Sequence, residues 1–214
     1  MVGRPVIIGV IAVVTTASVF AIVRRQAARS TTAAGFWYEE GSIALPAHPV
    51  AALGGPLTAR EMETIKQISR TEVERAFAGL RIAITDRRDA FWRVQVVQTL
   101  AGSAPTERVP SAGKAIVLGP LGGAAAVNFS LVALKAIDYA PHGASRDMTI
   151  EGIARGVGRV AVHEFAHQIL GPSSPHSDDE NSYEFHSPDR AAQYYGELHW
   201  TIAWPPLQQK IGSR

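Results

Sequence analysis

The chain has 214 residues, 46% hydrophobic and 19% charged, with a formal net charge of +2. Outside the N-terminal flank no Lys/Arg cluster forms a phosphate-tracking stripe, which argues against a nucleic-acid partner, and the absence of cysteine excludes disulfides, thiolate metal sites and thiol nucleophiles together. The apolar content suffices for one ordinary core, so one folded domain is expected, and any metal must rest on His, Asp or Glu.

From Pro5 to Val23 the chain carries no charge. As a helix rising ~1.5 Å per residue, this run would nearly cross a ~30 Å hydrocarbon core. The expectation is one transmembrane helix over residues 5–23, inside an N-terminal anchor and basic flank covering residues 1–29. A cleaved signal is the alternative, but the small-residue pattern Thr32-Ala33-Ala34 lies beyond Arg24, Arg25 and Arg29. Those arginines outweigh Arg4 and tilt charge counting towards a cytoplasmic C-terminal domain.

Residues 30–35 are small and polar and read as a linker, and Phe36-Trp37-Tyr38 opens the domain expected over residues 36–214. Thr58-Ala59-Arg60-Glu61 has capping-box spacing and predicts a helix running to Gly79. Arg81 to Thr85 and Phe91 to Leu100 read as adjacent strands across the charged turn Asp86-Arg87-Arg88-Asp89. A loop follows to Lys114, then two further strands, Ala115 to Leu118 and Ala125 to Ile137, joined by Gly119-Pro120-Leu121-Gly122-Gly123. No Gly-Lys-Ser/Thr ends this glycine run, so it reads as a turn and not a phosphate loop; Asn128-Phe129-Ser130 is a formal glycosylation sequon inside a predicted strand.

A second long helix is predicted from Asp147 or Thr149 to Leu170, because Ile150, Ile153, Ala154, Val157, Val160 and Ala161 recur at helical spacing and Gly171-Pro172 ends it. It carries His163-Glu164-Phe165-Ala166-His167. Four residues at 3.6 per turn put the two imidazoles about 40° apart on one face, where both can bind one metal ion. Glu164 points about 100° away from His163, outside that ligand row but able to hold a water at the metal. The histidines sit some 90–110° off the centre of the apolar stripe, whereas a pair serving the core would sit on it. Gly152, Gly156 and Gly158 each weaken the helix by about 1 kcal/mol against Ala, which points to close approach of another segment.

A catalytic zinc takes three protein ligands and leaves the fourth position open. His176 is the first downstream donor, after a glycine that turns the chain back; Glu184, His186 and Glu197 remain as alternatives.

The string HEFAHQILGPSSPHS resembles the metzincin zinc peptidases, whose signature is His-Glu-x-x-His-x-x-Gly-x-x-His on a helix ending at the glycine. His163, Glu164 and His167 match directly; Gly171 comes one residue late and His176 three, and Asn181 to Phe185 has no methionine where the family has one beneath the metal. The resemblance implies an α+β, zincin-like fold: a small mixed sheet, two long helices of which one carries the motif, and a C-terminal helix from Arg190 to about Ala203. It implies Zn²⁺ on His163, His167 and His176, with Glu164 as general base in hydrolysis of a peptide or protein substrate. Tyr183 would help hold the oxyanion, with Tyr194 or Tyr195 behind it. An extended substrate would pair with an edge strand within Gly119 to Ser130. Such peptidases mostly work outside the cytoplasm, so the expected place is a single-pass membrane protein with an extracytoplasmic catalytic domain. The reading from a different class is a zinc-stabilised binding or scaffold domain without turnover.

Overall fold

A computed structural model of the chain describes residues 31–100, 111–118, 122–171 and 174–214. Five strands, β1 (Thr32–Tyr38), β2 (Ile82–Thr85), β3 (Trp92–Val97), β4 (Gly113–Val117) and β5 (Gly123–Asn128), form one sheet in the order β2-β1-β3-β5-β4. All neighbours run parallel except β4, which pairs antiparallel with β5 and closes one edge. The helices are α1 (Ala47–Ala52), α2 (Ala59–Ala76), α3 (Phe129–Asp138), α4 (Arg146–Leu170), α5 (Ala192–Tyr195) and α6 (Trp204–Ile211). The architecture is therefore α+β with a small mixed sheet and two long helices, as expected in that respect.

Period-2 alternation in the strands supplies the core. Ala34 and Phe36 of β1, Trp92, Val94 and Val96 of β3, and Ala125 and Val127 of β5 are buried on one face. Against that side lie α4, which touches β3, β4 and β5, and α2, which packs along α4. The Thr58 capping box forms as its spacing predicted: the Glu61 amide donates to Thr58 Oγ1 at 3.2 Å and the Thr58 amide to Glu61 Oε2 at 2.7 Å. Gly158 lets α2 and α4 approach closely, since a Cβ there would stand 2.6 Å from the carbonyl oxygen of Ser69. At Gly152 and Gly156 the crowding comes from the rings of Tyr195 and Tyr194, side chains and not a backbone.

Among the described residues no helix is long and apolar enough to cross a membrane, and Pro5–Val23 lies outside those residues. The longest helix, α4, carries Arg146, Asp147, Glu151, Arg155 and Arg159 along its length. The transmembrane helix is thus not part of the fold seen here, and the single-pass membrane assignment has no structural support.

The segment expected as linker enters β1 at Thr32, and β1 inserts between β2 and β3, so these are not neighbours. The Ala125–Ile137 strand stops at Asn128, whose side chain accepts the Leu131 amide at 3.2 Å and caps α3. Phe129, Val132, Ala133 and Ala136 are buried there at helical spacing, which period-2 reading of Val127, Phe129 and Leu131 misread. The C-terminal helix is broken: only Ala192–Tyr195 is helical, Gly196 is extended, and His199 pairs with Asn181 and Tyr183 through backbone bonds of 3.0 Å before α6 begins.

Candidate metal centre

Ser145 starts α4 by accepting the Met148 amide at 3.2 Å, and Gly171, at φ 81°, ends it. Between them His163 and His167 stand one turn apart. The chain then turns back, with the Ser174 amide on the Gly171 carbonyl, and Ser177 joins the 182–185 loop through its amide on the Glu184 carbonyl at 3.2 Å. This anchors His176 beside the helix. Donor nitrogens of His163, His167 and His176 all lie within 4.8 Å of one another. His167 Nε2 is 2.9 Å from His163 Nε2 and 3.3 Å from His176 Nε2.

Three imidazoles in this arrangement can hold a metal ion. Ligands at ~2.05 Å in a tetrahedron stand about 3.3 Å apart, close to the two observed spacings. Protons alone satisfy the cluster poorly. His163 Nδ1 lies 3.0 Å from the carbonyl oxygen of Tyr183, and a proton donated there leaves Nε2 as a bare lone pair. His167 Nε2 carries one proton or none and so cannot both donate to His163 and accept from His176, whereas one shared cation serves all three nitrogens. Burial first, then the His167 charge, pushes the His163 pKa down to about 4; burial, then His176, lowers that of His167. Both rings are therefore uncharged at neutral pH, each keeping one N–H and offering its other nitrogen as a ligand.

Glu164 is 6% exposed, and its carboxylate makes no hydrogen bond among the described residues. Burial alone raises its pKa to about 8. It faces a cavity of about 340 Å³ between β4 and the 183–188 loop, walled by Gly113, Ala115 and Val117 on one side and Tyr183, Phe185 and Pro188 on the other. Gly113 leaves room for the Glu164 carboxylate in this position, because a Cβ would meet its Oε1 and stand 2.8 Å from Val160 Cγ1.

The remaining candidates separate clearly. Glu184 is consumed in structure: its carboxylate accepts from the Thr201 amide at 3.0 Å, Thr201 Oγ1 at 2.9 Å and the Ala203 amide at 2.6 Å, and Ser182 donates to it as well. Glu197 is exposed and pairs with Arg75 at 3.5 Å. His186 lines the cavity but lies outside the nitrogen cluster.

Tyr183 reaches the site with its carbonyl, not its phenol. The ring is buried 5.0 Å from that of Trp200, and burial and the neighbouring Glu72 raise the phenol pKa in an environment shared with Arg75 and Arg159. Tyr194 is fully buried with an unpartnered hydroxyl among the described residues, and Tyr195 donates to the Ala136 carbonyl at 2.6 Å. The substrate-edge expectation also moves. Within Gly119 to Ser130 lies β5, an interior strand, and the edge beside the motif helix is β4.

Two contributors were not foreseen. One is Gly113. The other is Arg190, 6% exposed, which donates to the carbonyls of Ser182 and Ser187 at 2.8 Å each and stacks 4.4 Å over the Phe185 ring. It fixes the loop that presents the Tyr183 carbonyl to His163. Neither carries a sequence signal, since a glycine at the start of a strand and an arginine after Ser-Pro-Asp are both ordinary.

Comparison with known protein families finds no family model that matches the chain, and comparison with curated proteins finds no relative.

Proposed function

We propose that this chain is a zinc-dependent peptidase, with His163, His167 and His176 as the ligands and Glu164 as the group that moves the proton. The observation that carries the reading is the conjunction of three converging imidazole nitrogens, two of them on α4, with a buried, unpartnered carboxylate on that same helix, His163, Glu164 and His167 opening on one cavity. When bound, zinc supplies a Lewis acid that acidifies water and polarises a carbonyl. A structural site needs no free carboxylate next to it, whereas a hydrolytic one needs a base that no other group has claimed.

The chain's own residues supply the rest. The Tyr183 carbonyl holds the His163 ring in one tautomer, with Nε2 turned to the cluster. Glu164 takes a proton from the attacking water and returns it to the departing amine, so that one water is consumed and one carboxylate and one amine are released. Burial raises its pKa and a cation held beside it would lower it again, so the two opposing effects leave a carboxylate that can accept a proton and then donate it.

Edge strand β4 supports a peptide as the substrate. The Asn128 amide donates to Ala112 and the Leu118 amide to Gly122, so the even-numbered residues of β4 bond to β5. By alternation, the backbone groups of Ala115 and Val117 face outward, beside the cavity that their side chains line. An extended peptide can pair there as an added strand.

The test combines metal analysis with cleavage. The full chain should carry one equivalent of zinc that His176→Ala depletes and Glu184→Gln does not. A mixed peptide library incubated in ¹⁸O-water should yield chelator-sensitive fragments with labelled carboxyl termini, and Glu164→Gln should remove them while retaining the metal. Zinc retained without any labelled fragment would establish a binding or scaffold domain instead.

A further inference from the structure

The sheet has a second face, turned away from α2 and α4, and its alternating positions define a trough. On that face β3 presents Arg93, Gln95 and Val97, β5 presents Ala124 and Ala126, and β4 presents Lys114 and Ile116. The register aligns Arg93, Ala124 and Ile116 in one row and Gln95, Ala126 and Lys114 in the next. Methyl groups thus floor the central strand while long side chains rise from both neighbours. The hollow has a volume of about 570 Å³. Ile116 is 58% exposed along its β4 wall.

Charge on this face is one-sided. Among the described residues the side chains of Arg93 and Lys114 make no hydrogen bond or ion pair, and no carboxylate lines the hollow. Asp89, the acidic group within electrostatic range of Arg93, is already held by Arg87 at 2.9 Å. Arg88, at the far wall, sits 5.8 Å over the Trp37 ring and 3.8 Å from Glu39.

We propose that this trough binds an extended acidic segment of a partner polypeptide, with aliphatic side chains over Ala124 and Ala126 and carboxylates at Arg93 and Lys114. Its width selects the extended form. Two strand spacings of ~4.8 Å separate β3 from β5 and β5 from β4, leaving about 10 Å between wall backbones before their side chains are counted. A helix with side chains needs about 10–12 Å and does not enter, whereas a single extended chain does. The apolar floor and exposed Ile116 favour a peptide over a phosphate backbone, which wants a continuous row of cations and no methyl floor. The segment's carboxylates would supply the counter-charge that Arg93 and Lys114 lack, and Val97 and Ile116 would bury apolar surface against it. This inference does not rest on the metal site, whose cavity lies across the sheet and shares Lys114 of β4 with the trough.

The experiment is a random peptide display library selected on the full chain and counter-selected on the double variant Arg93→Glu/Lys114→Glu, its fold checked by circular dichroism. Expected are sequences in which Asp or Glu alternates with Leu, Ile or Val. A synthetic peptide of the enriched sequence should shift the amide signals of Ile116, Ala124 and Ala126, and bind at least tenfold more weakly to the double variant. Should that variant unfold, the milder Ile116→Asn and Lys114→Met serve the same comparison. Enrichment without acidic bias, or equal affinity for folded variants, overturns the proposal. It is equally overturned by cross-links showing the trough filled by residues 1–30 or 101–110 of the same chain, or by a second copy that the peptide does not displace.

Discussion

Replacing Glu164 by glutamine measures what burying an ionisable carboxyl costs this fold, apart from any chemistry. Burial raises the Glu164 pKa from 4.5 to about 8. The folded state therefore holds that proton after the unfolded chain has released it, and stability falls as pH rises through the interval between these values. At about 1.4 kcal/mol per unit, the full interval corresponds to about 5 kcal/mol, and the part between pH 5 and pH 9 to about 4 kcal/mol. Glutamine cannot ionise and escapes the loss. His163 acts oppositely: its pKa of about 4 means that the unfolded chain takes up the proton first, so stability falls as pH drops below the ordinary imidazole value. That contribution is common to both proteins and cancels in their difference. Urea unfolding of the metal-free chain at pH 5 and pH 9 should therefore show Glu164→Gln gaining about 4 kcal/mol over the parent as pH rises. Zinc should shrink the gap, because a cation beside the carboxylate favours its charged form. A gap below about 1 kcal/mol without metal would mean that the carboxyl is solvated in the folded chain and that Glu164 is not a poised base.

Gly113→Ala should keep zinc and secondary structure yet lower peptide hydrolysis at least tenfold, because the new methyl displaces the Glu164 carboxylate and stands 2.8 Å from Val160 Cγ1. Metal analysis together with kinetics separates this from a general loss of fold, whose overpacking component is about 1–3 kcal/mol. Tyr183→Phe should leave kcat/KM within about twofold, since the carbonyl that orients His163 is untouched by the change. A hundredfold fall in kcat would instead restore the phenol as an oxyanion donor.

How much of this was legible in the sequence depended on the range of the interaction involved. The helix start at Thr58 and the stop at Gly171 are local, set by a hydroxyl, a carboxylate and a glycine within a few residues, and both formed as read. The His163 and His167 pair is likewise fixed by helical pitch alone. His176 needed only a turn and a short return, and it joins the pair in space. What failed was non-local. Nothing in Thr32 to Gly35 announces a strand, because small residues are there to pack between β2 and β3, which come some fifty residues later. Tyr183 lies in the loop where a phenol donor is expected, but the side chain's direction is set by Trp200 and Arg75, which no local pattern reveals.

The geometry of α4 explains why the histidine pair could be recognised from the wheel for a reason that proves incomplete. The wheel separated His163 and His167 from an apolar stripe, as though the helix had one wet side. In the structure α4 is enclosed almost all round, by the sheet, by α2, and by α3 and α5, and Arg159 and Gln168 are buried on it with satisfied bonds. Arg159 Nε meets Glu72 at 3.2 Å while its other nitrogens hold the carbonyls of Ala192, Gln193 and Gly196, tying the cavity's Gln193 wall to the helix one turn before His163. Such a helix cannot rotate or slide without breaking a buried ion pair, a change that costs about 3–5 kcal/mol. The imidazoles of His163 and His167 therefore stand where this largely enclosed rod opens onto the cavity, and rigidity of the rod holds their nitrogens at the point that His176, on the returning chain, also reaches.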